Sequence, residues 1–437
     1  MTFPSLSLIL NHPVWQDSIV KRIGKNAMWS LSGEVIGRGS SVLAGFMTAR
    51  ILEVNGFGQL GMIRSTIGTF SVFAGFGLGA TATRYVAKYR NSDPTKVGEI
   101  IGMCNTFAMM LGVIMAICLF VFSSFLARTA LAAPELRSAL KVGAAMLLFG
   151  SMTGAGIGTI AGFEGFRGLA AASAMEGITV LVTTIPLAYL LGVNGAVLAL
   201  VLSQVVKFIM VRRIASLRCR EFGIVVKNHW FKKHLSVIWN YSFPAFLCGF
   251  MYGPAIWVLN QIVVRQPAGY KMLGIMSAAD QWKTLILFVP AALGNVTLPV
   301  LANLRSTQMS SYKRTVLLNL VMQVAIAVCV ALPVAIFSGP FASLYGKSFE
   351  GLNVIITISC ATAIAHTVGN AAGNALMTAA TIWPNFLLNM LWAVCLIVSG
   401  FFLIRIYGVM GIALSYLIAY LLHGFVMTFF ALQLHKR

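Results

Sequence analysis

The stretch IIGMCNTFAMMLGVIMAICLFVFSSF, residues 100–125, carries no charged side chain from end to end. A bilayer core of about 30 Å is crossed by about 20 apolar residues of helix, and this stretch is longer than that. In hydrocarbon each backbone N–H and C=O must find a partner within its own segment, so a run of this length is helical. A barrel would instead show short stretches of alternating polarity. Working outward, comparable runs lie at 26–52, 58–82, 139–162, 169–190, 193–211, 239–263, 271–300, 315–338, 352–378, 382–404 and 408–432. The expected fold class is all-α integral membrane, with about twelve transmembrane helices.

Composition points the same way. The 437 residues are 58% hydrophobic and 10% charged, with a mean hydropathy of +0.86. Soluble domains carry roughly 25% charged residues. A formal charge of +21 would suggest nucleic acid if the chain were soluble. Here the basic residues sit in short connections between apolar runs. Positive-inside topology and attraction to anionic membrane lipids account for them, and no nucleic-acid partner is expected. The cysteines Cys104, Cys118, Cys219, Cys248, Cys329, Cys360 and Cys395 form no CxxC pair, so no metal, cofactor or disulfide framework is expected. The apolar stretch Phe3–Leu10 is short and has no basic residue before it, unlike a signal peptide.

Basic residues cluster on one side of the membrane: Lys21, Arg22 and Lys25, then Arg84 to Lys96, Arg167, Arg212 to Lys233, Arg305 to Arg314, and Lys436 with Arg437. The other side holds the scattered Arg50, Arg128, Arg137, Lys141, Arg265, Lys271, Lys347 and Arg405. Both termini should therefore be cytoplasmic. The expected division is a cytoplasmic lead-in at 1–25, an N-terminal six-helix lobe at 26–211, and a basic cytoplasmic linker at 212–238. A C-terminal six-helix lobe at 239–432 and a cytoplasmic tail at 433–437 follow.

The two halves repeat at an offset of about 213–216 residues. Gly56-Phe57 with Leu60-Gly61 matches Gly269-Tyr270 with Leu273-Gly274, and Leu191-Gly192-Val193-Asn194-Gly195 matches Tyr407-Gly408-Val409-Met410-Gly411. An even number of spans per half makes the repeats parallel, which predicts two six-helix lobes around a central cavity.

Four ionisable residues lie deep inside otherwise apolar spans: Arg38, Arg64, Asp280 and Lys283. A charge at the bilayer centre costs about 2.5–3.5 kcal/mol on insertion scales, so such residues normally face a watery cavity and act on something charged. Glu34 stands one turn from Arg38, either to neutralise it or to aim it at the cavity. Arg64 has no acid within reach on its own helix and either faces the cavity or snorkels to the interface. Asp280 can pair with Lys283 three residues on, as a structural pair or as a switch coupled to protons or ligand. Guanidinium groups fork onto two oxygens and Lys supplies a compact charge, so Arg38, Arg64 and Lys283 together suit a diphosphate. Lys207 and Arg50 lie near span ends and should snorkel. Glu176 and His366 are buried by position, as proton-linked groups or as hydrogen-bonded interior residues. Pro244 and Pro254 in the seventh span and Pro290 in the eighth should kink or loosen those helices, to bend the cavity open sideways or as ordinary irregular packing.

Some chemistries are excluded. There is no GxxxxGK[ST] and no HExxH, and Asp17, Asp93 and Asp280 are the only aspartates, so no DxD exists. The extracytoplasmic loops are too short for a catalytic domain, and no enzymatic activity is expected.

The motifs Trp29-Ser30-Leu31-Ser32-Gly33, Ala49-Arg50-Ile51-Leu52, Gly56-Phe57-Gly58, and the run from Gly75 to Ala87 (GFGLGATATRYVA) carry a resemblance. The chain resembles the O-antigen and polysaccharide flippases (polysaccharide transporters) of the multidrug/oligosaccharidyl-lipid/polysaccharide exporter superfamily. The resemblance is sharpest over residues 26–90. It implies a flippase in the bacterial cytoplasmic (inner) membrane that carries a polyprenyl-diphosphate-linked oligosaccharide to the outer leaflet by alternating access. Polysaccharide-assembly proteins are implied partners. It also implies a cavity lined by spans one, two, seven and eight, with diphosphate binding at Arg38, Arg64 and Lys283. Glu34 and Asp280 are then the first candidates for coupling to an ion gradient. A cation-coupled drug or metabolite antiporter of the same superfamily is the alternative, and a membrane polysaccharide polymerase a third reading.

Overall fold

The computed structural model describes residues 18–227, 235–307, 309–378 and 382–433. Most of the expected lead-in, residues 228–234 of the expected linker, and all but Gln433 of the tail lie outside the described residues. Among the described residues the chain is helical with no strand.

Two helical stretches are far too long for one crossing. Ser18–Gly75 and Phe166–Glu221 hold 58 and 56 residues, and a straight helix of that size would span about 85 Å. Each breaks at one residue with non-helical backbone: Glu53 (φ 55°) in the first and Gly192 (φ 58°) in the second. Arg38 and Arg64 sit on opposite arms of the first stretch and line the same cavity, so its arms run side by side. The spans are thus 18–52, 54–75, Pro94–Thr129, 137–162, 166–191 and 193–221 in the N-terminal lobe. The second span continues after a break at Phe76-Gly77 as Leu78–Tyr89. The sixth runs on to Glu221 rather than stopping at 211, because its last turns carry Arg218 and Arg220 beyond the apolar run.

The C-terminal lobe holds spans at 238–264, Gly269–Thr307, Met309–Ile336, Leu352–Thr378, Ile382–Tyr407 and Val409–Gln433. The seventh opens with a π turn at Ile238–Ser242 and is interrupted at Met251, between Pro244 and Pro254. The eighth stays helical through Pro290. Large apolar side chains such as Val121, Phe122, Phe125 and Phe425 are more than half exposed on the outside of the bundle. That is the surface of a multi-pass membrane protein, for which lipid replaces water.

The repeat is realised at an offset of 216 residues (408 against 192), where Gly192 and Gly408 share positive φ values of 58° and 56°. Three residues later, a Cβ on Gly195 would overlap the Leu187 carbonyl, and one on Gly411 would overlap the Leu403 carbonyl. The same offset governs the contact between lobes. A Cβ on Gly58 would strike the Tyr270 carbonyl, and one on Gly274 would strike the Val54 carbonyl. Only glycine lets the backbones approach so closely at this crossing. Aromatic rings close over it: Phe46 lies 5.0 Å from Tyr345 and 5.8 Å from Trp282, and Phe57 lies 6.0 Å from Phe349. Such pairs each contribute about 0.5–1.5 kcal/mol beyond area burial. The two lobes are therefore clamped shut at the end where residues 54–61 meet residues 270–281.

Candidate functional site: a cavity between the lobes

Below this clamp lies a cavity of about 390 Å³ between spans one and two of one lobe and seven and eight of the other. Arg38, Arg64 and Asp280 line it, with Ser65, Asn260 and Gln281 among the polar groups and Phe57, Leu60 and Leu273 among the apolar ones. Three of the four intramembrane charges singled out in the sequence thus converge on one space. Lys283 does not line it. Its side chain turns into the C-terminal lobe, where it is 3% exposed, pairs with Asp280 and lies 4.8 Å from the Tyr416 ring centroid.

The charges differ in how they are compensated. Arg38 Nε donates to Glu34 Oε2 at 2.8 Å, one helical turn away, and its guanidinium lies 5.0 Å from the Phe288 ring of the opposite lobe. Ser173 steadies the other Glu34 oxygen at 3.5 Å. Asp280, half-exposed on the cavity wall, is neutralised by Lys283 behind it. Arg64 makes no hydrogen bond or ion pair among the described residues. It is exposed, and its exposure is to the interior, since it lines both the central cavity and a second one. The snorkelling alternative for Arg64 therefore does not hold in this conformation.

The second cavity, about 230 Å³, lies inside the N-terminal lobe, walled by spans one, two, four, five and six. Its wall includes Thr48, Glu176, Thr184, Ser203 and Gln204. Lys207, expected to snorkel, instead donates to Glu176 Oε2 at 2.6 Å inside this lobe, because the carboxylate offers a partner nearer than the interface. Arg50 reaches the Leu344 carbonyl at 2.8 Å. His366 is an interior residue stacked 4.3 Å from the Tyr420 ring. A third cavity of about 560 Å³ opens on the flank of the N-terminal lobe, with Met109, Met152 and Phe208 along its body and Arg212 and Arg220 at one end. Neither of these two spaces was legible in the sequence, because each is assembled from spans distant along the chain. The i, i+4 spacing of Phe208, Arg212, Ser216 and Arg220 was a signal for the flank cavity.

No group of three or more His, Cys, Asp or Glu side chains able to hold a metal occurs among the described residues.

Comparison with known proteins places the architecture. The chain superposes on a multidrug resistance MATE family transporter of the MOP superfamily in its inward-facing conformation. The TM-score is 0.75 at 15% identity, over 94% of this chain and 98% of that one. A MOP superfamily transporter from Pyrococcus furiosus, described as having a binding pocket of reversed polarity that suggests a different function, gives a TM-score of 0.69. It is 14% identical over 95% of this chain and 96% of that one. These likenesses establish the two-lobed fold. In sequence, the chain is 24% identical over 196 residues to the EPS I polysaccharide export inner membrane protein EpsE of Ralstonia nicotianae. That match covers 43% of this chain and 44% of the relative, so the chain spans less than half the length of the curated relatives it matches. The family model described as polysaccharide biosynthesis protein, Polysacc_synt, matches residues 23–305 and so takes in Arg38, Arg64 and Asp280, which lie on spans one, two and eight. By that match the chain belongs to the Polysacc_synt family of polysaccharide biosynthesis proteins.

Proposed function

We propose that the chain is a flippase that carries a polyprenyl-diphosphate-linked oligosaccharide across the bacterial inner membrane by alternating access of its two lobes. The observation that carries this reading is Arg64, a guanidinium without an ion partner among the described residues in a cavity between the lobes. A cation that faces a cavity within the membrane and has no ion pair among the described residues favours an anionic ligand, and a guanidinium forks onto two phosphate oxygens. Arg38 sits on the same cavity with Glu34 as its present partner. Lys283 sits one turn behind with Asp280. A diphosphate entering at Arg64 would compete with both carboxylates and recruit these cations, which makes Glu34 and Asp280 the groups released on binding and the candidates for coupling. Membership of a polysaccharide biosynthesis family and the export role in the EpsE name support the substrate class.

With both termini cytoplasmic, the end of the lobes where Gly58 meets Tyr270 and Gly274 meets Val54 faces outward. Arg212 and Arg220, at the cytoplasmic end of the sixth span beside an apolar cavity, suit anionic membrane lipid. Polysaccharide-assembly proteins are the expected partners downstream. A cation-coupled antiporter is favoured only by the half-exposed Asp280, whose charge Lys283 already answers.

The test is reconstitution of purified protein into vesicles loaded with a polyprenyl-diphosphate-linked oligosaccharide on one leaflet. Protein-dependent appearance on the other leaflet, lost with Arg64→Ala, supports the reading. Unchanged transport by Arg64→Ala overturns the site, and no transport by the wild type overturns the function.

A further inference from the structure

We infer that the cavity inside the N-terminal lobe is a saccharide subsite that receives the first sugar of the diphosphate-linked substrate, an inference that rests on the diphosphate reading of Arg64. Ser41, Phe57, Leu60 and Arg64 line both this cavity and the central one, so the two spaces share the wall on which that guanidinium sits. In a glycosyl diphosphate the sugar is joined directly to the terminal phosphate. A phosphate held at Arg64 therefore places the sugar ring at the mouth of whichever polar space adjoins that residue.

The wall beyond Arg64 has the chemistry of a hydroxyl-rich neutral ligand. Thr184 is 4% exposed and its hydroxyl has no hydrogen-bond partner, although it lines the cavity. A buried hydroxyl left unpaired is costly, so it marks a position where a ligand or water completes the bond. Thr48 and Ser203 donate to their own helix at the Ala44 and Leu200 carbonyls, at 2.6 Å and 2.8 Å, and so keep oxygen lone pairs for an incoming donor. Gln204 donates to Thr153 at 3.2 Å.

Three other occupants fit less well. A second phosphate would meet the Glu176 carboxylate and a row of acceptors. A metal cation would find Glu176 already neutralised by Lys207 and would face Arg64. A lipid tail would leave the Thr184 hydroxyl unpaired. The volume of 230 Å³ holds roughly eight waters at about 30 Å³ each, the scale of one sugar ring and not of an oligosaccharide.

The experiment measures binding to the purified full-length protein in nanodiscs. The probes are farnesyl diphosphate and farnesyl diphosphate carrying glucose, galactose or N-acetylglucosamine. For the wild type, at least one glycosylated probe should bind about tenfold tighter than farnesyl diphosphate, the scale on which hydrogen-bonding sites discriminate. Thr184→Val, which removes only the unpaired hydroxyl, should cut that preference, and Ser203→Leu, which fills the cavity, should abolish it. Farnesyl diphosphate itself should bind both variants as it binds the wild type. Equal affinity of the wild type for all four probes overturns the subsite, as does a preference that survives in both variants. Failure of farnesyl diphosphate to bind in an Arg64-dependent way is a distinct result, and it overturns the parent reading and the subsite together.

Discussion

Arg64 and Asp280 occupy equivalent positions in the two halves of the chain, 216 residues apart (280 against 64), and both line the central cavity. The repeat thus places opposite charges on facing walls. What differs is the next turn. Asp280 is followed by Lys283, which neutralises it, whereas the position equivalent to Lys283 in the first half is the buried Ile67. One half therefore presents a compensated pair and the other a bare guanidinium, and the cavity is left with a net attraction for anions.

The Asp280–Lys283 pair gives a stability prediction. Removing one partner of a buried pair leaves the other charged in low dielectric, at a cost of about 3 kcal/mol. Asp280→Asn should lower the melting temperature of the purified protein, and adding Lys283→Met, which removes the stranded ammonium at similar volume, should restore most of it. A single and a double variant that melt alike would show that Lys283 is solvated in the native state.

The clamp between lobes predicts conformational control. Gly61 and Ser277 are equivalent positions in contact across the lobe boundary. The double variant Gly61→Cys with Ser277→Cys should cross-link under mild oxidation and stop transport reversibly. Gly58→Val pushes a side chain into the Tyr270 backbone and should reduce that cross-linking several-fold, to be read by gel mobility. Undiminished cross-linking would mean that the close approach at Gly58 is not needed for closure.

Backbone geometry predicts opposite effects at two breaks. Gly192 holds a φ of 58° with nothing near its missing Cβ, so Gly192→Ala carries only the backbone penalty, about 1–3 kcal/mol. Glu53 holds a φ of 55° with a side chain already present, so Glu53→Gly should be neutral or stabilising by up to about 1 kcal/mol. Melting temperatures of the two variants, compared with wild type, check both signs.

How much of this was legible beforehand depends on whether the physics was local. The spans were legible, because hydrocarbon demands long apolar helices, and so was the repeat, because Gly192 and Gly408 mark the same backbone reversal. The convergence of Arg38, Arg64 and Asp280 was an assumption at the level of sequence, because it depends on how spans one, two and eight pack around one cavity. Lys283 turning inward was not legible: three residues from Asp280 it could as well have shared the cavity, and the Tyr416 ring it lies beside belongs to the last span, distant along the chain. Lys207 was misread for the same reason, its partner Glu176 lying 31 residues earlier on another span. The break at Glu53 had no signal either, since nothing in that residue type favours a positive φ.

The flank cavity predicts a lipid dependence. Each arginine near an anionic surface contributes about 1 kcal/mol, so Arg212→Gln with Arg220→Gln should weaken retention of phosphatidylglycerol about tenfold or more. Native mass spectrometry, with phosphatidylcholine as the control lipid, reads this directly. Equal retention of both lipids by wild type would contradict it.

The central claim is that the uncompensated Arg64 holds the anionic group of a transported lipid-linked glycan. Its most direct test is the leaflet in which the lipid-linked oligosaccharide resides in a deletion strain carrying wild-type, Arg64→Lys or Arg64→Ala protein at matched levels. Delivery to the outer leaflet by wild type, partial delivery by Arg64→Lys, and cytoplasmic-leaflet accumulation with Arg64→Ala is the predicted result. Full delivery by Arg64→Ala would contradict it.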